Sequence, residues 1–359
     1  MYAVIMAGGR GTRFWPRSRE KKPKHLLDII SERTMIQETV DRIKSLVEPD
    51  NILIVTGKKH ASLLQKQLPE IPAANILIEP EGKNTAPCIG LAALHIKKRV
   101  GDDIMFVLPA DHAIADIRKF QAVLASAAKV AAEEENALVT IGIRPTSPHT
   151  GFGYIEQGSY LGHVLAEQVY RVKSICEKPA LRQAQKFVKS GKFHWNSGMF
   201  IWKASVILNE VARHLPEVSA GLAEIESKLG TKKEEAAVRR AYKKFPSISI
   251  DYGVMEKAAN VFVLPADFGW SDVGSWDALW DIFVKDKQGN AFAGGGNLIM
   301  EDAKNSLVYS PRKLVALVGV KNLIVVETDD ALLICEKGKS QDIKKVVDTL
   351  EKNKLKKYI

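Results

Sequence analysis

The chain has 359 residues, 46% of them hydrophobic and 26% charged, proportions that exclude collagen-like, low-complexity and disordered classes. A body of this length buries roughly three quarters of the surface its unfolded chain exposes, so it needs neither disulfides nor a structural metal. The formal net charge of +10 favours anionic partners, whether nucleic acid, lipid or phosphorylated small molecules.

Tyr2 to Ala7 opens the chain as an apolar stretch too short for a signal-peptide core, and no run approaches the roughly 20 apolar residues of a membrane span. Ala3 to Met6, Asn51 to Thr56, Asn75 to Ile78, Asp103 to Leu108 and Ala137 to Ile143 read as buried strands. Between them, Ile36, Val40, Ile43 and Val47 follow a Thr34-x-x-Gln37 capping box at helical spacing. Ile89, Ala92, Ala93 and Ile96 do the same after Asn84-Thr85. This order predicts an α/β fold with a largely parallel sheet covered on both faces. Ligands of such sheets bind beyond the carboxyl ends of the strands, which makes Gly8 to Lys24, Glu79 to Thr85 and Asp111 the natural candidates. From Tyr154 longer strands mix with helices at Leu181 to Val188, Ala204 to Arg213 and Glu234 to Tyr242. After about Asp286, short strand-like runs at near-even spacing predict a small β domain, a solenoid fragment of the left-handed β-helix type. A last helix carries Ile343, Val346, Val347 and Leu350 on one face, to dock on this chain or on a partner subunit. The expected boundaries are 1–285 and 286–359. Cys88, Cys176 and Cys335 show no CxxC spacing and read as reduced thiols of a cytoplasmic protein.

Ala7-Gly8-Gly9-Arg10-Gly11-Thr12-Arg13-Phe14-Trp15-Pro16 follows the first strand, with Pro23-Lys24 beyond it. Glycines let backbone N–H groups wrap polyanionic oxygens while Arg13 and Lys24 supply positive charge. The stretch fits neither the Walker loop nor the dinucleotide fingerprint, and a plain turn is the alternative. Asp111, after an apolar strand, can hold Mg²⁺ together with phosphate oxygens; its alternative is a helix N-cap. Glu177-Lys178 at a strand end could serve a sugar hydroxyl and a phosphate, or form a surface ion pair. Gly153 and Asn196 suit sugar binding but also ordinary turns. Asp272, in Trp270-Ser271-Asp272-Val273-Gly274-Ser275-Trp276, is a weak signal alone, yet paired with Asp111 it makes a metal cradle. No Ser-His-Asp ordering, nucleophile elbow or metal-like histidine spacing appears, so the substrate is expected to bring its own nucleophile.

On these motifs the chain resembles the sugar-phosphate nucleotidyltransferases over nearly its whole length. Trp15-Pro16, Trp195-Asn196-Ser197-Gly198-Met199-Phe200, Ile250-Asp251-Tyr252-Gly253-Val254-Met255-Glu256-Lys257 and the Trp270–Trp276 run favour the branch that joins guanosine to mannose. The resemblance implies a Rossmann-like core, Mg²⁺ as cofactor, and GTP and mannose 1-phosphate as substrates giving GDP-mannose and pyrophosphate. It implies that Gly8, Gly9, Gly11 and Thr12 wrap the GTP phosphates, Arg13 meets the leaving pyrophosphate and Lys24 sits beside the attacked α-phosphate. Asp111 and Asp272 would hold the metal, Gly153, Glu177, Lys178 and Asn196 would receive the mannose phosphate, and Asn84 and Thr85 would face guanosine. His25 and Cys176 depart from the usual Gln and aliphatic residue without removing a charge. Longer members append an isomerase domain, and isomerase activity is not expected here. The rivals are a relative using another sugar or nucleotide, and a non-catalytic sugar-nucleotide sensor. Nucleic-acid binding lacks a stacking or recognition-helix pattern. A homodimer is expected from the apolar face of the terminal helix.

Overall fold

The computed structural model describes residues 1–359. They form two compact units that interleave along the chain. One comprises Met1–Gly8, Val40–Ala110 and Ile114–Trp270; the other comprises Gly9–Thr39, Asp111–Ala113 and Ser271–Ile359.

The first unit is built on a nine-stranded sheet. Its strands are β1 (Tyr2–Ala7), β2 (Ile52–Gly57), β3 (Ile76–Glu79), β4 (Ile104–Pro109), β5 (Leu138–Ile143), β6 (Tyr154–Val164), β7 (Glu167–Cys176), β8 (Phe193–Lys203) and β9 (Val261–Ala266). They lie in the order β3-β2-β1-β4-β8-β5-β9-β7-β6. β1 pairs in parallel with β2 and β4, β2 with β3, and β5 with β9, whereas β8 and β7 run against their neighbours. The sheet is therefore mixed and mainly parallel. Side chains alternate across it: Val4, Leu53, Val55 and Val107 enter one apolar cluster, and the alternate positions Ile5, Ile52, Ile54 and Leu108 are equally buried. Both faces are thus covered, which is why the central strands read as continuous apolar runs. The first cluster takes in Ile89, Leu91 and Ile96 of the Thr85–Val100 helix, with Val206, Val211, Leu222 and Tyr242 from the helices that follow β8.

In the second unit, parallel pairing recurs every 16 or 17 residues: Ala291 lies beside Leu307, Leu307 beside Ile324, and Asn297 beside Leu314. Strands stacked in this way are coils of a small β-solenoid, closed by Leu332–Glu336 running antiparallel to Leu323–Glu327. Inside the coils Ala291, Leu307, Ile324 and Val326 share a cluster with Phe14, Trp15 and Trp276. Ile343 and Val347 of the Ile343–Lys352 helix are buried in that same cluster. The terminal helix docks on its own chain, leaving only Val346 of the expected stripe exposed. That face no longer supplies a reason for subunit pairing.

The helix expected through Val47 ends at Asp41. Gln121 donates its side-chain amide to the Arg42 carbonyl at 2.9 Å, and tight turns then bury Ile43 and Val47. Apolar spacing set the burial correctly, although the regular helix stops short of Ile43 and Val47. The capping box at its start is present, with Thr34 N–H donating to Gln37 Oε1 at 3.0 Å. The three cysteines are free thiols.

Candidate active site

In the second unit, the glycine-rich loop leaves the carboxyl end of β1 and closes with a 3₁₀ turn over Thr12–Phe14. Phe14 and Trp15 anchor it in the apolar cluster, and Trp276 donates its indole N–H to the Trp15 carbonyl at 3.2 Å. Gly11 has φ 59°, and a Cβ there would come within 2.7 Å of Lys24 Cβ. Glycine is therefore required by both conformation and space. Gly8, Gly9, Arg10 and Arg13 are exposed and Thr12 is half-buried. The loop offers open backbone and cationic side chains to solvent.

Lys24 is buried, at 5% exposure. Its ammonium donates to the Asp111 carbonyl at 2.8 Å, to Asp111 Oδ2 at 2.9 Å and to the Asp272 carbonyl at 2.7 Å. An ammonium carries three donors, so all three are taken within the protein. Lys24 thereby links Asp111 to Asp272 within the second unit. Asp272 Oδ1 accepts from Gly274 N at 3.1 Å, which orients that carboxylate. Desolvation pulls the Asp111 carboxyl upward, but the Lys24 charge, aided by His112 and His25, outweighs it and holds the group below the usual carboxylate range. Asp111 is not a helix N-cap. That role falls to Asp116, which accepts from Lys119 N at 2.9 Å. The Asp111 and Asp272 carboxyl oxygens are a hard donor set of the kind that suits a divalent cation such as Mg²⁺.

In the first unit a second group assembles. Gly153 precedes β6 and accepts through its carbonyl from Asn196 N at 2.8 Å. A Cβ at Gly153 would overlap Glu177 Oε2, so this glycine creates the space the carboxylate occupies. Asn196 Nδ2 donates to Asp251 Oδ1 at 2.7 Å, and Asn196 Oδ1 accepts from Gly198 N at 3.2 Å. Glu177 N donates to Glu256 Oε1 at 3.1 Å. Glu177 Oε2 is buried and makes no hydrogen bond, an expensive state for a carboxylate oxygen. Burial, the Asp251 charge and, less strongly, Glu256 push the Glu177 carboxyl up to about 7 against the pull of Lys178. Lys178 is exposed with φ 49°. Burial also raises Asp251. Beside this group Phe152 stacks on His149 at 4.1 Å and meets Trp195 and Trp270 edge-on at 5.0 and 5.4 Å.

Asn84 caps the Thr85–Val100 helix, accepting from Thr85 N at 2.9 Å, and Thr85 Oγ1 accepts from Ile250 N at 2.8 Å. Both side chains have structural partners. Glu79, at the end of β3, is buried and raised to about 7 by desolvation, opposed by a hydrogen bond with Tyr242. A cavity of about 920 Å³ beside β3 is lined there by Ile76, Leu77, Ile78, Pro80 and Glu81, and neither Asn84 nor Thr85 lines it.

Of the expected residues, Lys24, Asp111 and Asp272 come together around one ammonium, and Gly153, Glu177 and Asn196 come together around one carboxylate. Asp251, Glu256 and the aromatic group of Phe152, Trp195 and Trp270 were assigned no role from sequence, because single acids and aromatics carry no spacing signal of their own.

An exposed cationic glycine loop and a buried lysine bonded to Asp111 and Asp272 are a combination suited to phosphate oxygens. Residues 2–289 match the Nucleotidyl transferase family, and residues 296–350 match the MannoseP isomerase/GMP-like beta-helix domain. The chain belongs to the nucleotidyl transferase family and is an enzyme of that class. It is 42% identical over 354 residues to the Xanthan biosynthesis protein XanB of Xanthomonas campestris, an alignment covering 97% of this chain and 73% of the relative. It is 40% identical over 356 residues to the mannose-1-phosphate guanylyltransferase of Escherichia coli, covering 98% and 73%. The solved structure of mannose-1-phosphate geranyltransferase from Thermus thermophilus superposes with a TM-score of 0.88 at 34% identity, over 98% of this chain and 99% of that one. No helix is long and apolar enough to cross a membrane.

Proposed function

We propose that the protein transfers GMP from GTP to α-D-mannose 1-phosphate, forming GDP-mannose and pyrophosphate. The observation that carries this reading is the Lys24 ammonium bonded to Asp111 and to the Asp272 backbone, next to a glycine loop whose phosphate-facing positions are open. The near-full-length likeness to mannose-1-phosphate guanylyltransferases supports the choice of nucleotide and sugar.

The sugar phosphate oxygen attacks the α-phosphorus and pyrophosphate leaves, so the protein has to position reactants and stabilise charge rather than form a covalent intermediate. Gly8, Gly9, Gly11 and Thr12 would bind the triphosphate through backbone N–H groups, with Arg13 on the departing pyrophosphate. Lys24 has no spare donor, so it would act on the α-phosphate as fixed positive charge and as the link that keeps both aspartates in place. Asp111 and Asp272 would hold Mg²⁺, which neutralises charge on the phosphates when bound. Glu177 Oε2, buried and lacking a donor, is matched to a sugar hydroxyl, with Asn196 and Lys178 toward the sugar phosphate. Asn84 and Thr85 would shape the nucleoside segment mainly through backbone. A domain boundary near residue 286 and a cytoplasmic location complete the reading.

The test is a panel of four nucleoside triphosphates against several sugar 1-phosphates, scored by pyrophosphate release. GTP with mannose 1-phosphate should give the highest kcat/KM. A higher value for another pair would reassign the substrates, and release from no pair would reject the reaction.

A further inference from the structure

Asp251 stands at the junction of two hydrogen-bond sets in the first unit. Ahead of it, the chain is laced to the segment before and into the Thr85–Val100 helix. Ile248 N donates to the Lys83 carbonyl at 3.2 Å, Ala86 N to the Ile248 carbonyl at 3.2 Å, and Ile250 N to Thr85 Oγ1 at 2.8 Å. At Asp251 itself the side chain accepts from Asn196 Nδ2 at 2.7 Å. The backbone then enters a π-helical turn, Asp251–Met255, closed by Glu256 N donating to the Asp251 carbonyl at 3.0 Å. From the end of that turn, Glu256 Oε1 accepts from Glu177 N at 3.1 Å. An inserted π turn changes the direction of the side chains that follow and is common at functional sites. Here it lets one short segment hold both Asn196 and Glu177.

We propose that Asp251 is a positioning residue for Asn196, and that residues 248–256 are a strut through which the nucleoside segment and the sugar-phosphate group share one geometry. The proposal rests on the reaction assigned above. Asn196 has its carbonyl oxygen occupied by Gly198 N and one amide proton by Asp251, so its orientation is fixed and its second amide proton remains to be directed at a ligand. Without Asp251 the amide keeps only the donors on its oxygen, Gly198 N at 3.2 Å and Thr140 Oγ1 at 3.4 Å, and preorganisation of its N–H groups toward the sugar phosphate is weakened. Because the same segment is bonded to residues 83–86, loosening it reaches the nucleoside side as well.

Asp251→Ala and Asp251→Asn separate positioning from simple stability. Loss of a hydrogen bond to a charged group should raise the mannose 1-phosphate KM of Asp251→Ala at least about tenfold. Asp251→Asn, which keeps an acceptor oxygen, should recover part of that loss, with the GTP KM moving in the same direction by a smaller factor in both, since that side is reached only through the bonds to residues 83–86. Thr85→Val leaves Asn196 untouched and carries the test if Asp251→Ala fails to fold; it should raise the mannose 1-phosphate KM although Thr85 lies on the nucleoside segment. A mannose 1-phosphate KM within about twofold of wild type in these variants overturns the proposal, as does an equal loss for both substrates that tracks a fall in Tm. Hydrogen–deuterium exchange without substrates tests the strut apart from the reaction. Faster exchange of residues 83–90 in Asp251→Ala supports it and unchanged exchange overturns it, even if wild type proves inactive with every substrate pair.

Discussion

The two acid-bearing regions solve opposite electrostatic problems. In the second unit Asp111 and Asp272 meet a buried cation whose every donor is used, so the junction is assembled and balanced. In the first unit burial and the Asp251 and Glu256 charges act against Glu177 with only Lys178 opposing, and one Glu177 oxygen is buried with no hydrogen-bond partner. A buried ion pair with satisfied hydrogen bonds fixes geometry; an unsatisfied carboxyl stores a demand that only a ligand's donor relieves. The contrast fits the division proposed here, with phosphate and metal held by the first kind of chemistry and sugar hydroxyls drawn in by the second.

Asp111→Asn breaks the balanced side most severely. It turns the carboxylate that pairs with Lys24 into a neutral amide and weakens a proposed metal ligand at the same time, and productive Mg²⁺ use should vanish; a rate that keeps the wild-type Mg²⁺ dependence would count against the assignment. Arg13→Ala touches only an exposed side chain, so Tm should not move while turnover falls on the order of 10³-fold, as for other arginines acting on a phosphoryl transition state. Turnover near wild type would remove Arg13 from the mechanism. Gly11→Ala probes the scaffold of the same region. A left-handed φ and the close Lys24 Cβ together should cost about 1–3 kcal/mol and lower activity by displacing Lys24, measurable by thermal denaturation beside steady-state rates.

The unbalanced side gives the smallest effect and the most distinctive sign. The Glu177 pKa is raised in the folded state, from 4.5 to about 7, so its contribution to stability is present at low pH and is lost as pH rises through about 7. Ligand-free Glu177→Gln should therefore be more stable relative to wild type at pH 8 than at pH 4. The gain should be on the order of 1–2 kcal/mol, smaller than the full shift because the side chain is only partly buried. Part of the pH slope remains in the variant, since Glu79 is raised to about 7 as well. A gap between the two proteins that does not change with pH would show that Glu177 is not strained.

Much of the balanced region was legible in the sequence because its parts are local: a strand, then glycines and cations; a strand, then an aspartate; a turn between tryptophans. The strand-end rule of parallel sheets singled out Lys24 and Asp111, while the bonds from Lys24 to Asp111 and Asp272 came only from the structure. The unbalanced region was legible only in fragments. Gly153, Glu177 and Asn196 each sat in a recognisable stretch, but Asp251 lies in a segment with no periodicity, and its value comes from a π turn and from partners far away in sequence. The interleaving of the two units was hidden for the same reason. Nothing local distinguishes the loop after β1, which packs with the solenoid, from the strand before it. The end of the helix at Asp41 is likewise unmarked by the apolar spacing, which runs on through Ile43 and Val47.

The most direct test of the central claim is pyrophosphate release from GTP by wild type, with and without mannose 1-phosphate, across a Mg²⁺ titration. Release that requires both the sugar phosphate and the metal is the expected result. Release from GTP that proceeds equally well without mannose 1-phosphate, or is indifferent to Mg²⁺, would contradict it.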